Sequence, residues 1–169
     1  MHDPARPAPW ISVRQRTDKV AMYAELAEEL DSLLAGEADR VANAANAAAA
    51  IYHALAELNW AGFYFLHGRE LVLGPFQGRP ACVRIPLGRG VCGLAALERR
   101  PVLVPDVSAF PGHIACDMAS RSELVVPLLV ADDLLGVLDL DSPVLGRFDE
   151  ADQTGCELLA RVAVRHLAP

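Results

Sequence analysis

Two periodicities divide the chain. Apolar positions recur at helical spacing from residue 17 to 58, give way to short alternating blocks from residue 59, and return to helical spacing after residue 149. Val20, Tyr23, Leu26, Leu30 and Leu33 fall three or four apart. That spacing predicts a helix capped by Thr17 or Asp18 and running to about Leu34, where Gly36 stops it. A second, Ala-rich helix is predicted over Asp39–Leu58, with its bulky residues gathered in its C-terminal half. Then Trp60–Leu66 reads as a strand, residues 67–70 as a hairpin connection, Leu71–Leu73 as its partner and Gly74–Pro80 as a loop. A short strand Cys82–Ile85, a helix Val91–Arg99 and a strand Pro101–Val104 follow. Val107–Ser120 reads as a long connection, Glu123–Val130 and Leu134–Leu140 as a second hairpin about Asp132-Asp133, and Asp149–Leu167 as an amphipathic helix capped by Asp149. Helices bracketing a mainly antiparallel sheet, without an internal repeat, predict a single α+β domain over residues 17–169 behind a loose Pro-rich arm, residues 1–16.

Composition narrows the function. The 169 residues suffice for one real core, burying roughly 70% of the unfolded surface. Net charge is −7 and the basic residues cluster only at Arg99-Arg100, which argues against nucleic acid. Pro and Asp interrupt Met1–Trp10 where a signal peptide needs an apolar run. The most apolar stretch, Val41–Leu58, is broken by Asn43, Asn46, His53 and Glu57, short of the ~20 apolar residues of a membrane span. A soluble, cytoplasmic protein is expected. In a reducing compartment its four cysteines read as buried, metal-binding or catalytic groups rather than as structural disulfides.

Cys116 has the most suggestive setting, in Pro111-Gly112-His113-Ile114-Ala115-Cys116-Asp117. The Pro-Gly pair can open a short helix whose amides face the sulfur, and His113 stands three residues away; both would favour a thiolate. Sulfur redox chemistry is one reading, and small buried hydrophobes the other, the latter fitting Cys156 on the last helix. Cys82, Cys92 and Cys116 show neither a CxxC pair nor a metal-ligand spacing. Asp139 and Asp141 share one face of an otherwise apolar strand, and Glu123 opens its neighbour. The three acids either converge in a pocket, where they can hold an ammonium and crowding keeps one protonated, or the two aspartates face water. Trp60 and Tyr64 also share a face; they box a thioether-like group or pack the core. Gly88-Arg89-Gly90 before a helix can offer amides to an anion but is too short for a phosphate loop.

The blocks NWAGFYF, LVLGPFQG, ACVRIPLGRGVCG, VPDVSAFPGHIACD, SELVVPLL and GVLDLDS, in this order and with three cysteines in place, resemble the free methionine-(R)-sulfoxide reductase family, a GAF-domain enzyme. The likeness runs from about Thr17 to Val164. It implies the GAF fold, a central antiparallel sheet of about six strands with flanking helices, and a homodimer that reduces free L-methionine (R)-sulfoxide. It implies that Cys116 attacks the sulfoxide sulfur and becomes a sulfenic acid, and that Cys82 resolves it to a disulfide that thioredoxin recycles. Cys92 matches a third, auxiliary cysteine. Glu123, Asp139 and Asp141 match acids that grip the ammonium and assist the departing oxygen, Trp60 and Tyr64 match the pocket aromatics, and Asp106 matches a residue of the substrate site that supports its loop. No bound metal or organic cofactor is required. The alternative is a non-catalytic GAF domain that senses a small ligand or redox state.

Overall fold

The computed structural model describes residues 18–114 and 116–168, so the predicted arm and Thr17 lie outside the described residues. Among the described residues four helices and six strands follow the expected order: α1 Lys19–Leu34, α2 Arg40–Ala54, β1 Trp60–His67, β2 Glu70–Gly78, β3 Arg84–Pro86, α3 Gly90–Glu98, β4 Val102–Val104, β5 Ser122–Val130, β6 Asp133–Ser142 and α4 Glu150–Leu167. All strands join one antiparallel sheet in the order β3-β2-β1-β6-β5-β4. This is the expected α+β architecture, a six-stranded antiparallel sheet with flanking helices.

Carboxylate caps explain where three helices begin. Asp18 and Asp39 accept from the amides of Ala21 and Ala42, and Asp149 and Asp152 form a reciprocal capping box at α4. That box also fastens α1: Lys19 Nζ lies 2.7 Å from Asp149 and 2.6 Å from Asp152, and the buried Tyr23 hydroxyl donates to Asp152 at 2.9 Å. The Lys19 hydrogen bond holds the Asp149 carboxyl down at about 2. Gly155 lets the two helices meet, because a Cβ there would fall 2.1 Å from the Tyr23 ring.

Strand alternation splits the sheet into two faces. Ala61, Phe63 and Phe65 of β1, Leu124, Val126 and Leu128 of β5, and Leu138 and Leu140 of β6 pack beneath α1, α2 and α4 in the larger core. The intervening residues, among them Trp60, Tyr64, Val125 and Val137, face α3 and the loops around it.

Three boundaries depart from expectation. β2 runs on through Gly74-Pro75 to Gly78, where a loop is predicted. The pairing with β1 shifts between Gly62 and Tyr64, and a bulge accommodates a residue without a side chain next to one without an N–H. α2 ends at Ala54 rather than Leu58, since Leu55 already takes an extended backbone with φ −96° and ψ 120°. β3 begins at Arg84, so Cys82 precedes the strand.

Candidate active site

β6 carries the acids into the site. It places Asp139 opposite Gly62 of β1 and Val125 of β5, and Asp141 opposite Trp60 and Glu123. Gly62 is required there, because a Cβ would lie 2.7 Å from the Trp60 ring and 2.4 Å from Phe76 Cβ. Trp60 therefore lies flat between Phe76 and Tyr64, at centroid distances of 5.2 and 5.9 Å. Its indole N–H donates to the Arg79 carbonyl, and the Tyr64 hydroxyl to that of Cys82, so both aromatics also hold the segment bearing Cys82.

These side chains open into a cleft. Trp60, Tyr64, Cys92, Cys116, Glu123, Asp139 and Asp141 line it, with His113 and Ile114 from the opposite wall. Cys116, exposed at the rim, is joined to Cys82 in a disulfide with the Cα atoms 5.6 Å apart.

Among the acids, convergence holds and the water-facing alternative does not. Glu123 and Asp139 are each 6% exposed. Burial raises all three carboxyls well above their usual range, and the neighbouring acid adds to each: Asp141 for Glu123, Glu123 for Asp139, Asp139 for Asp141. Burial likewise pushes the Cys92 thiol up, with Asp139 and Glu123 nearby, its Sγ 4.0 Å from Glu123 Oε1. The site thus stores protons at the foot of a cleft whose rim carries sulfur.

Two expectations around Cys116 are corrected. Pro111 and Gly112 lie in a turn and Cys116 in a bend, so among the described residues no helix presents its amides to the sulfur. His113 is turned to Glu123, Nε2 to Oε2 at 3.4 Å, and burial lowers its pKa, so the ring is not a fixed cation beside the thiol. Asp106 stands apart from the three acids that line the cleft. It lies off the cleft lining and caps the 3-10 turn Val107–Ala109, accepting from Ser108 N at 3.0 Å and Ser108 Oγ at 2.6 Å. Those hydrogen bonds hold its carboxyl below the usual range.

Comparison with known proteins places this geometry. The GAF domain model matches residues 29–168. The free methionine-R-sulfoxide reductase of Escherichia coli (strain K12) is 49% identical over 151 residues, 89% of this chain and 92% of that one. The chain belongs to the free methionine-R-sulfoxide reductase family. Among solved structures, the family's enzyme from Neisseria meningitidis, in complex with its substrate, superposes with a TM-score of 0.86 at 46% identity, covering 90% of this chain and 92% of that one. A GAF sensor protein from Burkholderia vietnamiensis matches with the same TM-score at 61% identity, covering 89% and 96%.

In this reductase family member, a second set of residues secures the cysteine loop. Asn59 Nδ2 donates to Asp117 Oδ2 at 3.2 Å and to Ser120 Oγ at 3.0 Å, while the Asn59 amide donates to the Asp141 carbonyl. Asn59 thus ties the segment after Cys116 to the strand bearing the acids. Sequence reading passed over it, and its place directly before an apolar strand was the available signal. Cys156 is the core residue expected, fully buried beside Tyr23, its thiol pushed up to about 12 by burial.

The buried acids set a pH dependence of stability. Near the ordinary carboxylate range the unfolded chain ionises while the folded acids keep their protons. Above it the unfolded state binds fewer protons, so stability falls with pH until the folded groups ionise in turn. Asp139→Asn removes one titrating group and is expected to flatten this decline. Urea titrations of the disulfide-intact protein between about pH 4 and 9 check it; a variant curve parallel to wild type would contradict the shift.

Proposed function

We propose that this chain reduces free L-methionine (R)-sulfoxide to L-methionine. The observation that carries the reading is the pairing, in one cleft, of a buried acid cluster with the sulfur of Cys116. The acids suit the substrate at both ends. A carboxylate among them can hold the free ammonium, which a peptide-bound methionine lacks, and a protonated neighbour can hydrogen-bond the sulfoxide oxygen. The Trp60 and Tyr64 faces suit the methyl sulfide.

In this reading the Cys116 thiolate attacks the sulfoxide sulfur, and a buried acid protonates the oxygen. The oxygen then passes from the substrate sulfur to Cys116: the substrate S–O bond and the transient S–S bond break, a Cys116 S–O bond forms, and methionine leaves as the thioether with Cys116 oxidised to a sulfenic acid. Cys82 then attacks that sulfur, expelling water and leaving the disulfide. The Cys82–Cys116 bridge has the connectivity this step produces, and so supports it. Two electrons from an external dithiol, thioredoxin in our reading, restore both thiols by exchange. Cys92 stays an auxiliary thiol, free and buried. The working form is proposed to be a cytoplasmic homodimer; no helix among the described residues is long and apolar enough to cross a membrane.

The test is methionine release from separate R and S free methionine sulfoxides, with thioredoxin, its reductase and NADPH. Turnover of the R form alone is expected, with one NADPH consumed per methionine. Reduced, folded protein that turns over neither epimer, with thioredoxin or with dithiothreitol, would return the chain to a ligand- or redox-sensing GAF domain.

A further inference from the structure

The fold assembles a thiol and two carboxyls that the sequence keeps far apart. Cys92 comes from the first turn of α3, Glu123 from the start of β5 and Asp139 from β6. One ligand atom of each lies within 4.8 Å of the other two, and all three residues are buried. His113 Nε2 reaches the same Glu123 carboxyl at 3.4 Å. A separate observation points to a missing partner: Asp139 Oδ1 is buried in the cleft lining without a hydrogen-bond partner. An orphan carboxyl oxygen at that depth is costly unless something binds it.

We propose that Cys92, Glu123 and Asp139 form a binding site for a zinc-like divalent cation, and that its occupancy excludes the amino-acid substrate. One thiolate with two carboxylates suits a borderline-soft ion and disfavours magnesium or calcium, which take oxygen ligands. Zn–S bonds of about 2.3 Å and Zn–O bonds of about 2.0–2.2 Å set tetrahedral ligands roughly 3–4 Å apart. Cys92 Sγ and Glu123 Oε1, at 4.0 Å, need only a small approach. His113 or a water from the cleft completes the shell. The absence of a CxxC spacing is no obstacle, since three separate elements supply the ligands. Cys92 remains free while Cys82 and Cys116 are bridged, so the site persists in the disulfide form. The ion takes the carboxyls assigned above to the substrate; the exclusion clause rests on that reading, whereas metal binding does not.

The disulfide form therefore gives the cleanest test, because its two mechanistic thiols cannot bind metal. Zn²⁺ is titrated into the full chain in competition with a chromophoric chelator, and Co²⁺ serves as a spectroscopic probe. One ion per chain is expected, with a near-ultraviolet thiolate-to-cobalt band and no displacement by excess Mg²⁺. Cys92→Ser should abolish that band. Cys92→Ser and Glu123→Gln, both close in shape to the native residues, should each weaken Zn²⁺ by about 100-fold or more, beyond the 10–100-fold usual for outer-shell partners. Absent stoichiometric binding, or unchanged affinity in both folded variants, would overturn the site. Substrate exclusion is read in Cys82→Ser as slowed single-turnover methionine release. The slowing should be relieved by saturating sulfoxide and be absent when Cys92→Ser is added. Binding without such slowing would overturn exclusion alone, and a chain with no reductase activity would leave the metal titration decisive.

Discussion

Replacing Cys116 with serine is expected to abolish methionine formation, a fall of at least about 10³-fold, while Cys82→Ser still releases up to one methionine per site. The difference follows from what each sulfur does in the proposed sequence. A hydroxyl in place of Cys116 is a far weaker nucleophile and has no sulfenic acid to form. Without Cys82 the first step is intact, and the product sulfenic acid waits for a thiol. Cys82→Ser should therefore show a burst followed by a stall with thioredoxin, and recover when a small thiol is supplied. Cys92 lies in the same cleft but is buried, its thiol held protonated by burial beside Asp139 and Glu123, so it is poorly placed to replace Cys82 rapidly. Rapid-quench measurement of methionine per site separates the variants. Equal, sustained turnover by the two would overturn both assignments.

Glu123→Gln carries the second large expected effect, a loss of about 10²–10⁴ in kcat/KM, the usual contribution of a positioned acid. Glu123 stands between the strands' other acids and the cysteine loop: it faces Asp141 across β5 and β6, approaches Cys92 Sγ at 4.0 Å and His113 Nε2 at 3.4 Å. The amide keeps the volume and donates hydrogen bonds but releases no proton. If Glu123 protonates the sulfoxide oxygen, the loss falls on kcat and the alkaline limb of the pH–rate profile changes. If it grips the ammonium, the loss falls on KM. Steady-state kinetics across pH, with circular dichroism as a check on folding, distinguish these. Near-native values of both constants would move the acid role to Asp139 or Asp141.

Much of this site was legible before any coordinates. The i, i+2 spacing of Asp139 and Asp141 fixed their common face, and the alternation of Trp60 and Tyr64 did the same on β1. Such patterns say which residues share a face but not what covers it. That cover comes from α3, carrying Cys92, and from the loop carrying His113, and only tertiary packing brings these to Glu123. For Asp106 the local pattern is the informative one. An aspartate two residues before a serine at the head of a turn is an ordinary cap, and local chemistry alone accounts for it. The loop predicted over Gly74–Pro80 rests on Gly74-Pro75, a pair that ordinarily breaks a strand, and here a bulge absorbs it. Zinc-like binding had no spacing signal, since its ligands span 92 to 139.

The alternation along β6 carries one more implication. Leu138 and Leu140 sit under the helices while Asp139 and Asp141 point to the cleft. A slip of one residue would drive two carboxyls into the apolar core and offer leucines to the substrate. Correct pairing of β6 is therefore the same event as assembly of the chemistry, and no partly registered intermediate can own half a site. A refolded preparation should then consist of competent and inert molecules with nothing between, so that its specific activity counts correctly paired chains.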